Sequence, residues 1–230
     1  KENLSASGSA SLATQGFARQ RVNIAFQAQG LSALQDAKFS MDGRLDDAPL
    51  LVQAEWRNRH AGLTARWRSL DAKAGIDIAK NTALAGQAHF ALRRMADFAV
   101  FIGEPMEGLA EASVRFSPQG GKTAAAIDAK IENLHIAALQ AQALSLHGPI
   151  TDAIGKPQLN LVLAARGLTA GEFKGGGETH LNGPFDRLDL TLSSDMTDST
   201  GAALKARTKA QVNLSKKQVT LAALEGDWRG

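Results

Sequence analysis

The chain has 230 residues, enough for one large domain or a run of repeats. Its 26 Lys and Arg against 23 Asp and Glu leave a net charge of +3, spread singly along the chain, and Tyr is absent, so a basic, aromatic-studded nucleic-acid surface is excluded. The absence of Cys excludes a disulfide framework, a Cys-based zinc site and a thiol nucleophile, and no apolar run approaches the ~18 residues of a membrane-spanning helix.

Period-2 alternation begins at once. Leu4, Ala6, Gly8, Ala10 and Leu12 alternate with serines, and Val22, Ile24, Phe26 and Ala28 with polar residues. Three more strands are predicted at Ala37 to Leu45, Leu50 to Trp56 and Leu63 to Trp67, each with one apolar and one charged face, as in antiparallel sheets with one side in water. Ala74 to Ile78 and Leu84 to Phe90 continue the pattern. It breaks once, where Met95, Phe98, Ala99 and Ile102 share a helical face ahead of Gly103 and Pro105, predicting a short amphipathic helix over about 93–102. Strands resume at Ala110 to Phe116, turn through Ser117 to Gly121, and return over Ala125 to Ile131. The Ala-rich run Ile136 to Ala143 has helical propensity, but its second half is read as strand. Leu144 to Gly148 and Leu159 to Ala165 alternate on either side of expected Gly148-Pro149 and Gly155-Lys156-Pro157 turns. A further turn is expected at Gly175-Gly176-Gly177, then strands to Gly183, over Leu188 to Leu192, Leu204 to Leu214 and Val219 to Leu221.

An internal repeat supports this reading. Met41 to Ala65 aligns without a gap on Leu146 to Ala170, matching Gly43 with Gly148, Asp47-Ala48 with Asp152-Ala153, and Gly62-Leu63-Thr64-Ala65 with Gly167-Leu168-Thr169-Ala170. Leu34-Gln35 and Leu139-Gln140 extend the match, giving units at 33–65 and 138–170. The apolar-x-Gly step recurs at Leu84-Ala85-Gly86 and Leu181-Asn182-Gly183. A hairpin that cannot bury its apolar face alone asks for stacked neighbours. The whole of 1–230 is read as one β-repeat section of a longer protein, because both ends lie inside strand-like patterns.

No catalytic constellation stands out, and no cofactor is expected. Gly121-Lys122-Thr123 imitates the tail of a phosphate-binding loop, but Phe116 stands where the motif needs Gly and a strand follows instead of a helix. The histidines at 60, 89, 135, 147 and 180 have no helical i, i+4 pairing. Glu178 and His180 share a strand face without a third ligand. Asp46, Asp47, Asp152 and Asp186 sit in turn sequences, where Asp bonds its own backbone. The reading is therefore non-enzymatic.

Several segments in order, Gly108-Leu109-Ala110-Glu111-Ala112-Ser113-Val114-Arg115-Phe116, Leu146-His147-Gly148-Pro149-Ile150-Thr151-Asp152, Gly167-Leu168-Thr169-Ala170-Gly171, Leu181-Asn182-Gly183-Pro184-Phe185 and Leu224-Glu225-Gly226-Asp227-Trp228-Arg229-Gly230, resemble the repeat region of the TamB family. That family is the inner-membrane subunit of the translocation and assembly module, related to AsmA-like bridge-like lipid-transfer proteins, and the resemblance is to its alphaproteobacterial type. It implies a β-taco: an elongated, curled antiparallel sheet with an apolar inner groove. It also implies a periplasmic section of an inner-membrane-anchored protein that passes phospholipid between the membranes of a Gram-negative cell and supports outer-membrane protein assembly. The implied partners are phospholipid acyl chains and, through regions outside this chain, a TamA-like outer-membrane barrel protein and the membranes themselves. An AsmA-like envelope-homeostasis protein, or a structural or adhesive β-solenoid, is the alternative.

The inward phase then supplies the expected groove: Val52, Ala54, Trp56, Trp67, Val114, Phe116, Leu161, Leu163, Leu190 and Leu192. Met95, Phe98 and Ile102 are expected to lay the helix over it.

Overall fold

The computed structural model describes residues 5–13, 21–30, 36–213 and 215–229; Leu4, Leu34, Gln35, Leu214 and Gly230 of the sequence reading fall outside these. Fifteen strands follow one another: β1 (Ser5–Ala13), β2 (Arg21–Gln29), β3 (Asp36–Leu45), β4 (Ala48–Arg57), β5 (His60–Trp67), β6 (Leu70–Ile78), β7 (Leu84–Leu92), β8 (Met106–Gln119), β9 (Lys122–Ile136), β10 (Leu139–Thr151), β11 (Gln158–Ala170), β12 (Phe173–Pro184), β13 (Leu188–Thr197), β14 (Ala203–Asn213) and β15 (Gln218–Arg229). They form one antiparallel sheet in simple sequence order, with β1 and β15 at its two edges and no closure into a barrel. The expected all-β, elongated antiparallel architecture is what the chain adopts. Tight turns drive the meander. Asp46-Asp47, Asn58-Arg59 and Gly120-Gly121 all take positive φ at both positions, the hairpin geometry that matches strand twist.

The sheet hides little of itself. Its accessible surface is 14960 Å², whereas a compact monomer of 24.3 kDa exposes about 10,000 Å². A single extended layer accounts for the difference.

Several local expectations need correction. Gly148-Pro149 is not a turn but lies inside β10. The β10–β11 register skips that step while His147↔Val162 and Ile150↔Leu159 keep the ladder on either side. Gly148 has φ 145, and a Cβ there would sit 2.1 Å from the Asn160 carbonyl oxygen, so only Gly permits the strand to continue. Gly175 to Gly177 also run inside β12, with the turn earlier at Gly171-Glu172. A Cβ on Gly175 would meet the Asp195 carbonyl at 2.1 Å, so these glycines serve close strand approach. The expected helix over 93–102 is shorter: a 3₁₀ turn, Met95–Phe98, leads into one α-turn, α1 (Ala99–Ile102). Arg94 stays extended at φ −148, and Arg93 donates its N–H to the Ser69 carbonyl at 3.3 Å. The two repeat units differ in strand content. The ungapped register sets the Asn58-Arg59 turn over Leu163-Ala164, which lie mid-strand in β11.

A line of extra residues crosses three strands. Asn133 on β9 has φ 52 and Gly167 on β11 has φ 57, with Gln142 of β10 between them in the register. Register shifts bound this line against β8 at Gly108 and against β12 at Ala165–Leu168. One extra residue resets the alternation. Leu134 and Ala141 therefore return to the side of Ile131 and Leu144, and join Leu92, Met95 and Met106 in the main core, with Leu168 packed against it.

Candidate functional site

The register sorts every described strand from β3 onward into two faces, because directly paired residues share a side. One row reads Met41, Val52, Ala65, Ala72, Phe90, Ala112, Ala129, Leu146, Leu163, Thr179, Leu192, Thr208 and Leu224. The row beside it contains Phe39, Ala54, Leu63, Ala74, Ala88, Val114 and Ile127, and continues through Leu161, Leu181, Leu190 and Ala210. These rows run across the strands from β3 to β15, twelve spacings in the sheet order, or roughly 58 Å at ~4.8 Å each.

All ten residues expected on the inward phase fall on this one apolar face. Trp56 and Phe116 lie in the flanking row with Ile76 and Gly86, and Trp67 lies in the opposite flanking row with Leu50, Leu70 and Leu92. Their exposure differs. Leu163 is 39% exposed and Leu63, their neighbour on the face, 43%, but Trp67 and Leu161 are only 2% and 5% exposed. Leu161 is covered by its own sheet, in a cluster with Leu159 and Leu188. Gly183 stands between Leu159 and Leu188, its missing side chain letting them meet. The apolar-x-Gly steps at Gly86, Gly148 and Gly183 all place their glycine on this face, with φ between 115 and 145. Such kinks are the means by which a sheet is bent toward one side.

The opposite face is polar and ion-paired. Asp36–Arg57 lies at 3.3 Å, Arg66–Asp71 at 3.2 Å, Lys205–Asp195 at 3.4 Å, His60–Asp77 at 2.8 Å and His180–Glu178 at 2.7 Å. The three Arg and Lys ion pairs are solvent-screened, of the kind worth about 0–1 kcal/mol each, and the two histidines are hydrogen-bonded to their carboxylate partners. A hollow of about 670 Å³ opens over β2 to β6, bordered chiefly by this polar phase, including Gln27, Lys38, Gln53, Glu55, Thr64 and Lys73. Of the ten expected residues, Ala54 borders it. Among the described residues the apolar side is thus a face with one cover rather than a walled channel.

That cover is the 95–102 segment. Met95 is buried in the core, and Phe98 packs edge-on against Trp67 with ring centroids 5.5 Å apart. Ile102 does not join them: it is 46% exposed, and the Phe101 ring instead meets Trp67 at 5.4 Å. The 3₁₀ turn stacks Met95 and Phe98 on one side, and it is the Phe101 ring of the following α-turn, not Ile102, that reaches Trp67 beside Phe98. The Trp67 indole N–H donates to the Leu45 carbonyl at 2.9 Å, and the Arg68 guanidinium sits 5.0 Å from its ring centroid.

Asp97 fastens the cover. The sequence carries a signal for this role in Arg94-x-x-Asp97 inside an apolar segment, which the strand and helix periodicity does not use. Asp97 is buried, and its carboxylate accepts from Arg94 Nε at 3.0 Å and Nη2 at 2.7 Å, and from the Ser69 backbone N–H at 3.1 Å. Burial pushes its pKa up, but the bonds from Ser69 and Arg94 outweigh that and hold it below its ordinary value. Ser69 Oγ in turn donates to the Arg94 carbonyl at 3.2 Å. Thr123, the other buried polar residue among those described, accepts the Leu84 N–H on Oγ1 at 2.9 Å, which ties the Gly121-Lys122-Thr123 hairpin to β7. Among the described residues no group of three or more His, Cys, Asp or Glu gathers as a metal site would require.

No family model, curated protein or solved structure matches the chain.

Proposed function

We propose that this chain is a section of a TamB-type protein whose apolar sheet face carries phospholipid acyl chains between two membranes. The observation that carries the reading is the pair of predominantly apolar rows, interrupted by Thr179, Thr208 and Gly148, that run across the strands of an open sheet. Among the described residues no second layer buries that face. Acyl chains would bury it, gaining about 25 cal/mol for each Å² removed from water. The polar, ion-paired side stays in solvent. In this reading the protein lies in the periplasm of a Gram-negative cell. Its anchor and its contact with a TamA-like barrel protein lie in other regions, and outer-membrane protein assembly draws on the same conduit.

Photo-crosslinkers test it. Placed at Leu63 and Leu163 in the protein in cells, they capture phospholipid; at Gln53 and Asn160, on the polar phase of β4 and β11, they do not. Leu163→Asp blocks lipid passage, because a charge there must be desolvated among acyl chains, while Asn160→Asp does not. Equal capture from both phases would overturn the reading.

A further inference from the structure

The 95–102 segment is held unevenly between two buried methionines, Met95 at its start and Met106 after it. Asp97 locks its first turn to the Arg68-Ser69 hairpin, and Met95 sits in the core. The second turn has no buried polar anchor of this kind among the described residues and rests on the Phe101 ring against Trp67 and Phe98. Phe101 is 36% and Ile102 46% exposed, and Gly103, Glu104 and Pro105 beyond them are exposed too. It closes on backbone bonds, among them the Gly103 N–H to the Ala99 carbonyl at 2.8 Å, with Gly103 left-handed at φ 81. A helix of one turn does not hold itself together. What it covers is Trp67, a member of the apolar face made inaccessible by the rings of Phe98 and Phe101. An aromatic ring laid on an apolar sheet face occupies the place an acyl chain would take.

We propose that the segment is a displaceable plug: Phe101 and Ile102 swing outward about the Asp97 anchor, and a phospholipid acyl chain replaces the Phe101 ring on Trp67. This rests on the acyl-chain reading above and adds a gate to it. Phe98 stays seated beside the anchor, so the exchange is local and leaves the core intact.

Two single-tryptophan forms of the chain separate the possibilities, one keeping Trp67 and one keeping Trp56, the other tryptophans replaced by Phe. Each is mixed with vesicles of phosphatidylglycerol and phosphatidylethanolamine carrying brominated acyl chains, which quench only tryptophans they touch. Trp56, on the same face and away from the plug, is quenched with or without Phe101→Ala. Trp67 is weakly quenched in the parent and severalfold more strongly with Phe101→Ala. Hydrogen exchange at the Gly103 amide, in the unsubstituted chain, quickens when the vesicles are added. If Trp56 is quenched while Phe101→Ala leaves Trp67 unchanged and Gly103 exchange does not respond, the plug is fixed core and the inference falls, with the acyl-chain reading intact. If neither tryptophan is quenched in any form, the acyl-chain reading fails and the gate with it.

Discussion

Arg94 donates two hydrogen bonds to Asp97, at 3.0 and 2.7 Å, from a side chain that is itself 68% exposed, onto a carboxylate that is 3% exposed. The pair is therefore lopsided: the anion is desolvated and the cation is not. Removing Asp97 frees Arg94 to water but strands the Ser69 N–H. Asp97→Ala should cost about 2 kcal/mol, within the range for an unsatisfied buried donor. Urea midpoints at neutral pH measure it.

The same carboxylate makes stability sensitive to acid. Its folded pKa lies below its ordinary value, so its contribution is whole above the unfolded pKa of about 3.9 and is lost as pH falls through the lower folded value. Lys122 does the same for Asp152, and the Thr200 hydroxyl for Asp198. The stability gap between the unsubstituted chain and Asp97→Asn should stay level down to about pH 4 and narrow below it. A gap that does not change between pH 6 and pH 2.5 would mean that Asp97 carries no such linkage.

Trp67 and Trp228 offer a contrast between core and edge. Trp67 is 2% exposed beneath two rings, and Trp228 is 63% exposed on the edge strand β15. Trp67→Ala should cost about 3–5 kcal/mol, as for a large aromatic removed from a core. Trp228→Ala should stay within about 0.5 kcal/mol. Phe98→Asp should follow Trp67, and Ile102→Asp should follow Trp228, in thermal or urea denaturation.

The glycine steps can be tested one by one. Gly148→Ala places a Cβ 2.1 Å from the Asn160 oxygen at φ 145, and should cost about 1–3 kcal/mol or more, the scale of a strained backbone residue. Gly226→Ala meets nothing within 4 Å and should be neutral. A neutral Gly148→Ala would show that the strand bends there without needing Gly.

Much of the fold was legible because period-2 alternation depends on each strand alone. Residues such as Val52, Ala54 and Trp56 must share a side of any strand they form, and so must Leu161 and Leu163. The glycines misled for a stated reason: Gly148-Pro149 and Gly175-Gly176-Gly177 have turn composition. Whether a Gly serves a turn or a close strand approach depends on a neighbouring backbone that is distant in sequence, Asn160 or Asp195. Ile102 shares a regular helical face with Met95 and Phe98, but the segment is a 3₁₀ turn followed by one α-turn, tied down by Asp97 on Ser69, 28 residues away, and Phe101 is the residue that meets Trp67.

By itself, then, the order of residues determined the strand pattern, the meander of short turns and the two-faced character of the sheet, all of which follow from local geometry and the avoidance of water by alternate side chains. Tertiary structure alone decided three things. It set which apolar residues are spent within the protein, as Trp67 and Leu161 are, and which remain open, as Leu63 and Leu163 do. It placed the extra residues at Asn133, Gln142 and Gly167 in one line, which turns Leu134 and Ala141 back toward the core. It anchored a one-turn helix by a buried carboxylate. Each depends on atoms from strands far apart in the chain meeting at a few ångströms, and that distance is a property of the assembled sheet, not of any strand within it.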